Sequence, residues 1–469
     1  MSRYYVPALS GNDEVNTENE TSKTVKGPDL PEVNYGDYEF VILTRVFTLE
    51  DPWGVNEVKP EAEDGEVLND SVVERNRVVE ERYGIKISQM MNDATFSTAS
   101  KSIMAGDNEF DAVWTSLFDC TLLAKGNYAY DINSLPYINL KNEWWDQSSV
   151  RDLSIGTKQY FVTGDFSYKN YNASWIYAFN KNMIGNFALE NPYELVNDGA
   201  WTIDKLKEMI TDVSADVDGN GVMDEFDRYG IITEQSNTFG MFIGAENFVV
   251  AKDSENYPKI SINTERGVNT LEKIFSFIND RSVVTSVTEP YIGKYSDVWG
   301  ALVNIFTDDR GLFYSIVMYT VKKLRNMDSD FGLIPMPKYD ENQEKYYTWT
   351  SPWISSGLVV PNTVSDAERV SVILEAMTYE SMISIRPAYY EVSLSGKYTR
   401  DSESSDMIDV ILSNRVYDLS MVYDWGGVGM LLNNMTAAKQ NNFASKYEAI
   451  AGKAQEALEK TIAEFKSIG

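Results

Sequence analysis

A chain of 469 residues, 43% of them hydrophobic, can bury a sizeable core and has the mass of two or three domains. Its 41 Lys and Arg stand against 71 Asp and Glu, and the net charge of −30 disfavours nucleic acid or anionic lipid as partners and favours a neutral or cationic ligand. Histidine is absent, which excludes Ser-His-Asp and Cys-His mechanisms and His-ligated zinc.

Residues 2 to 37 are polar, rich in Ser, Asn, Glu, Asp and Pro, and read as a solvated tether. A chain whose targeting segment has been removed would begin this way, and so would an ordinary disordered tail. No run of eighteen apolar residues predicts a membrane span. Tyr38 to Thr44 predicts a buried first strand, Asn69 to Arg82 a helix, and Ile85 to Ser88 a second strand. A helix around Ser97 to Ala105 and a third strand, Phe110 to Trp114, follow. This alternation predicts an α/β fold with a parallel sheet and helical crossovers. Ligands of such sheets sit beyond the carboxyl ends of the strands, where Thr44, Arg45, Trp114, Thr115 and Ser116 fall. The single cysteine, Cys120, lies in an apolar context and reads as a buried, inert thiol.

Tyr160 to Thr163 and Trp175 to Phe179 predict two further strands, separated by a polar, aromatic connection suited to an interdomain crossing. Thr202 is the expected N-cap of a helix whose apolar face falls on Ile203, Leu206, Met209 and Ile210. The strongest local motif follows. From Asp216 to Asp227, oxygen-bearing side chains stand at positions 1, 3, 5, 9 and 12 (Asp216, Asp218, Asn220, Asp224, Asp227), with Gly221 at position 6 and the Val222 carbonyl at position 7. This is the calcium-loop pattern of an EF-hand, in which a hard cation gathers close-set oxygens on a sharply turning backbone. Asp227 replaces the usual Glu, a strand signal follows where a second helix would stand, and no second loop exists to pair with. A structural Ca2+ clip is therefore expected, with a metal-free turn as the alternative.

Beyond Ile232 a polar segment precedes a helix, with further helices over Leu271 to Phe277 and Trp299 to Phe306. The apolar run Gly311 to Tyr319 leads to Phe331-Gly-Leu-Ile-Pro-Met-Pro and then to an aromatic stretch ending in Trp349 and Trp353, before a second apolar run, Ser356 to Pro361. The tryptophan pair, set in a Ser/Thr/Pro context between two strands, reads as surface committed to a partner. Asp366 to Ser381 is helical, Tyr423-Asp-Trp425-Gly-Gly is a second aromatic loop, and Phe443 to Phe465 carries the apolar spacing of a long amphipathic helix.

Four segments carry a resemblance: Phe179-Asn-Lys, Gly199-Ala-Trp-Thr-Ile-Asp-Lys-Leu with the Asp-rich loop, Phe331-Gly-Leu-Ile-Pro-Met-Pro-Lys, and Ser356-Gly-Leu-Val-Val-Pro. From about Tyr38 onward the chain resembles the extracellular solute-binding proteins of ABC importers, the family 1 group that includes maltose-binding-like proteins. The resemblance implies a two-lobed periplasmic-binding-protein-like fold with a hinge crossed more than once, its lobes closing on a ligand in the cleft. It places the first lobe at 38–165 with a return at 354–388, and the second lobe at 166–353 and 389–469, the Asp-rich loop lying away from the cleft. Carried over residue by residue, its cleft positions fall on Thr44, Arg45, Trp114, Thr115, Asp119, Asp165, Trp175, Asn237, Phe239, Tyr314, Trp353 and Trp425.

The resemblance further implies capture of a carbohydrate, an oligosaccharide above all, and delivery to ABC permease subunits by a monomeric, extracytoplasmic, lipid-anchored protein. A sugar has an apolar C–H face and a polar rim, so aromatic faces and hydrogen-bonding side chains belong together in such a cleft. Two other readings stay open: capture of another small solute in the same fold, and a carbohydrate-active enzyme with two carboxylates flanking a glycosidic bond.

Overall fold

The computed structural model describes residues 26–46, 57–394 and 403–468. Its strands, in chain order, are β1 (Tyr38–Thr44), β2 (Ile85–Met91), β3 (Ala112–Ser116), β4 (Trp175–Asn180), β5 (Tyr229–Thr233), β6 (Val250–Lys252) and β7 (Pro258–Ile260). They continue with β8 (Val284–Ser286), β9 (Gly311–Val317), β10 (Phe331–Ile334), β11 (Thr348–Trp349), β12 (Ser356–Val359) and β13 (Arg415–Val416).

Two sheets organise two lobes. The first has the order β12-β3-β1-β2, its first three chain segments parallel and β12 antiparallel to β3. The crossovers are the helices Val67–Tyr83 and Thr95–Ala105, each closed by a glycine in the left-handed region, Gly84 and Gly106, where an L side chain would be strained. Phe40, Ile42, Ile85, Ile87 and Trp114 point into a core shared with Val370, Ile373 and Met377 of the helix Ala367–Leu394. The second sheet, β10-β4-β9-β5-β8, is mixed: β5 runs parallel to β8 and β9, and β4 antiparallel to β9 and β10. Helices cover both of its faces, as a sheet buried on both sides requires. This is the two-lobed fold of periplasmic solute-binding proteins.

The chain crosses between the lobes along neighbouring paths. The 164–174 segment leaves the first lobe and the 350–355 segment returns to it, joined where the Ser351 N–H donates to the Ala173 carbonyl (2.9 Å) and Ser174 bridges Thr350. The helix Ala367–Leu394 starts against Val67–Tyr83 in the first lobe and carries Tyr390 onto the core of the second.

Three expectations change. Residues 26–37 are not a free tether: Leu30 is buried in the first-lobe core, and the Tyr35 and Asp37 N–H groups donate to the Tyr83 and Gly84 carbonyls. The run Tyr160 to Thr163 is no strand of its own, being held by a single bridge from Val162 to Leu358. The terminal segment does not belong to the second lobe alone. Phe465 of the helix Phe443–Ser467 packs edge-on against Tyr160, while Lys466 lies over the Tyr257 ring and Thr121 Oγ1 donates to the Val422 carbonyl.

Candidate functional site

Because β5 and β9 are parallel, they end on one edge of the second sheet, at Thr233 and Val317, and antiparallel β4 begins there with Trp175. The chain leaving β5 contributes Glu234, Gln235 and Ser236 to a cavity of about 530 Å³. Trp353 and Ile354 of the crossing wall it on one side, Met430 and Asn433 of the C-terminal segment on another. Asp297 and Trp299 complete the lining, with Tyr319 and Lys323 from the chain that follows β9.

A hydrogen-bond chain fixes its floor. Trp175 Nε1 donates to Ser315 Oγ (2.9 Å), Ser315 Oγ to Asn237 Oδ1 (2.6 Å), and Asn237 Nδ2 to the Tyr177 hydroxyl (3.0 Å). An aromatic line then runs between the lobes. Trp175 lies 5.1 Å from Trp349 between ring centroids, Trp349 6.0 Å from Trp353, and Trp353 6.0 Å from Phe118 of the first lobe. Burial pushes the Glu234 carboxyl above its usual range, and the hydrogen bond from Trp299 Nε1 (3.0 Å) opposes that shift. Gln235 Oε1 and Asn433 Oδ1 are buried with no hydrogen-bond partner among the described residues. Unmade bonds of this kind are costly, and a donor-bearing occupant would satisfy them.

Of the residues expected at the cleft, Trp175, Tyr314 and Trp353 line this cavity. Asn237 and Phe239 stand one layer behind, on the helix Asn237–Gly244; Asn237 holds Ser315, and Phe239 packs on Trp349 at 4.8 Å. Four first-lobe candidates keep their strand-end places but do not line the cavity. Thr44 Oγ1 accepts from Gln89, Arg45 follows it half-exposed, and Thr115 and Asp119 join Thr95 in a hydroxyl–carboxylate cluster.

Three residues are corrected. Trp114 points into the first-lobe core, edge-on to Phe166 at 4.5 Å, because the last strand positions are buried on both faces. The Asp165 carboxylate is taken up by Arg386 and the Tyr171 hydroxyl, with Arg386 Nε at 3.1 Å. Trp425 stacks on Tyr423 at 5.0 Å and donates to Thr461 Oγ1 (2.9 Å) on the last helix. Trp349, expected on a partner-facing surface with Trp353, is fully buried in β11, and only Trp353 reaches the cavity. Cys120 is buried and its thiol pushed well up, as an inert thiol would be.

Glu234, Gln235, Trp299 and Asn433 were missed. The first two adjoin the polar segment after Ile232. Trp299 was hidden in an apolar run that begins a helix, yet it is 53% exposed.

In the Asp-rich loop, carboxylate oxygens of Asp216, Asp218 and Asp227 lie within 4.8 Å of one another. The Gly219 and Gly221 N–H groups donate to Asp216 (2.7 Å each), and Gly221 adopts φ +82°, the sharp turn expected at position 6. These bonds, with that from Gly221 first, hold the Asp216 carboxyl below its usual range. Asp227 Oδ1 accepts from the Val217 N–H (2.7 Å) and Oδ2 from the Asp224 N–H (2.8 Å). Asp218 and Asn220 bond locally, while Asp224 Oδ1 accepts from the Phe226 N–H. Each carboxylate oxygen keeps a lone pair beyond its one N–H, so the donor set fits a hard cation.

No family model and no curated protein matches the chain. Solved structures do. A cyclo/maltodextrin-binding protein complexed with maltotetraose aligns with TM-score 0.57 at 13% identity, over 94% of this chain and 99% of its own. The maltose-binding periplasmic protein of Listeria monocytogenes, in complex with maltose, gives TM-score 0.57 at 12% identity, over 91% and 98%. An ABC substrate-binding protein from the same organism, in complex with cycloalternan, gives 0.53 at 11%, over 90% and 99%. At these identities the likeness carries the fold.

Proposed function

We propose that this chain is the extracytoplasmic substrate-binding protein of an ABC importer, capturing a carbohydrate, an oligosaccharide above all, without chemical turnover. The observation that carries the reading is the cavity at the strand ends of the second lobe. It sets the aromatic rings of Trp175, Trp299, Tyr314 and Trp353 beside the hydrogen-bonding side chains of Glu234, Gln235 and Asn433. A pyranose offers an apolar face and a ring of hydroxyl donors, which match these walls and the two unmet acceptors. The likeness to proteins solved with maltose, maltotetraose and cycloalternan supports it. Lobe closure about the 164–174 and 350–355 crossings would present the loaded form to permease subunits. The protein would work as a monomer held to the membrane by a lipid anchor; no described helix is long and apolar enough to cross a membrane.

The Asp-rich loop would bind Ca2+ through Asp216, Asp218, Asn220, Asp224 and Asp227 with the Val222 carbonyl, pinning the turn that leads into β5. Incubation with an oligosaccharide panel tests the main reading: a ligand-dependent rise in melting temperature with the saccharide recovered intact is expected, and product formation would overturn it.

A further inference from the structure

A cluster of cations beside the cavity stands against the charge of the whole molecule. Lys322, Lys323 and Arg325 follow one another on the short turn after β9, and Lys169 comes close to them from the first crossing. Among the described residues no carboxylate lies within ion-pair distance of Lys322, Lys323 or Arg325, although the chain carries 71 acidic residues. Lys169 faces the buried Glu57. Lys322 stands over the ring of Tyr319, its ammonium 3.8 Å from the centroid, and both Tyr319 and Lys323 line the cavity. Burial, with Lys169, Lys323 and Arg325 nearby, brings the Lys322 ammonium down to about 8. Like charges kept together beside a cleft oppose stability, and such conflicts concentrate where a ligand resolves them.

The two acidic groups that line the cavity, Glu234 and Asp297, are already engaged. Glu234 accepts from Trp299 Nε1 (3.0 Å), and Asp297 caps its helix by accepting from the Gly300 N–H (2.8 Å). The lining therefore carries the carboxylates of Glu234 and Asp297 and the ammonium of Lys323, with Lys322 and Arg325 beside Lys323 on the same short turn. The net charge of −30 has little hold on a ligand inside the cavity, since salt screens charges lying further off than about 10 Å. At the cavity the local cations decide.

We infer that the captured saccharide is anionic, carrying a carboxylate or sulfate that meets Lys323, with Lys322 and Arg325 beside it adding to the local positive field, while a ring stacks on the aromatic lining of the cavity. Charge-assisted bonds from ammonium and guanidinium to such an anion are short and strong, and a preformed cation cluster supplies them without reorganisation. The inference rests on the saccharide-capture reading and names the ligand class for the same site.

Calorimetric titration with a galacturonate trisaccharide, a sulfated disaccharide and neutral maltotriose tests it, on the wild type and on the double variant Lys322→Gln, Lys323→Gln. Melting temperatures of both proteins establish that the variant folds, and Lys323→Gln alone, at an exposed position, serves if the double variant does not. At least one acidic saccharide is expected to bind more tightly than maltotriose, to lose affinity as salt rises, and to lose at least about tenfold in the variant. The uronate and sulfate arms distinguish the two anion sources. Maltotriose binding as tightly as the acidic sugars, with no loss in the variant, would overturn this inference and leave saccharide capture standing. Binding of none of the three would overturn both.

Discussion

The Trp353 ring stands edge-on to Trp349, with planes at 89° and centroids 6.0 Å apart, and the two residues differ in what they can do. Trp349 is fully buried, packed between Trp175 and Phe239, whereas Trp353 is half-buried, lines the cavity and touches Phe118 across the cleft. One ring builds the wall and the other offers its surface. Trp353→Ala should weaken saccharide binding by about 2 kcal/mol, some thirtyfold, with the fold intact. Trp349→Ala should lower unfolding free energy by about 3–5 kcal/mol, because it empties a packed core site. Calorimetry and denaturant unfolding separate the two, and equal affinity of Trp353→Ala and wild type would count against the assignment.

Trp299 is the opposite case to Trp349. It is more than half exposed, its indole N–H donates to Glu234, and its removal opens no core. Trp299→Ala should change stability by no more than about 0.5 kcal/mol while reducing affinity several-fold. A large loss of stability with unchanged affinity would place this ring outside the binding surface.

Asp165, expected from the resemblance to touch ligand, is bound to Arg386 and Tyr171. Asp165→Ala would leave Arg386 unpaired in a largely buried position, and a loss of about 3–5 kcal/mol in stability is the expected result. Its affinity for ligand, measured well below the melting temperature, should change little.

Asp418 is fully buried and accepts hydrogen bonds from the Val249, Val250 and Ser420 N–H groups, yet burial outweighs them and pushes its carboxyl up to about 6. The neutral form is the one the fold prefers. Its stabilising effect is complete below the ordinary carboxylate range and is lost as pH rises through about 6. Between about pH 4 and pH 7, Asp418→Asn should therefore gain on the wild type by a few kcal/mol, whatever constant offset the lost acceptor adds. Thermal unfolding across that range checks it, and parallel curves for the two proteins would contradict the assignment.

For the Asp-rich loop, Ca2+ should raise the melting temperature of the wild type and EGTA should reverse the rise, with neither acting on Asp216→Ala. Stabilisation by an ion that binds only the folded state grows with its concentration over its dissociation constant. Unchanged stability in both proteins would remove the metal.

Local patterning carried most of the fold. The parallel start, from Tyr38–Thr44 through Ala112–Ser116, was legible because buried parallel strands read as short apolar runs between amphipathic helices, and Thr202 caps Ile203–Ile210 as its side chain predicts. The return of the chain to the first lobe near residue 354 came only through the resemblance. The antiparallel pairing of Ser356–Val359 with Ala112–Ser116 was not legible at all, since pairing across more than two hundred residues leaves no local trace. At the site, strand-end reasoning pointed to Trp114, which faces the core, and the resemblance brought Trp175 and Trp353, which line the cavity, together with Trp425, which does not. A tryptophan has the same local sequence signature whether its ring faces a cleft or a core, and only packing decides. The cation cluster was written openly as Val-Lys-Lys-Leu-Arg, but its approach to Lys169 depends on the crossing.

Native mass spectrometry of the folded protein after exposure to a mixture of neutral and acidic oligosaccharides tests the central claim most directly. One intact saccharide retained per chain, and lost in Trp353→Ala, is the predicted result. Recovery of the protein without any bound saccharide, or with shortened products in solution, would contradict it.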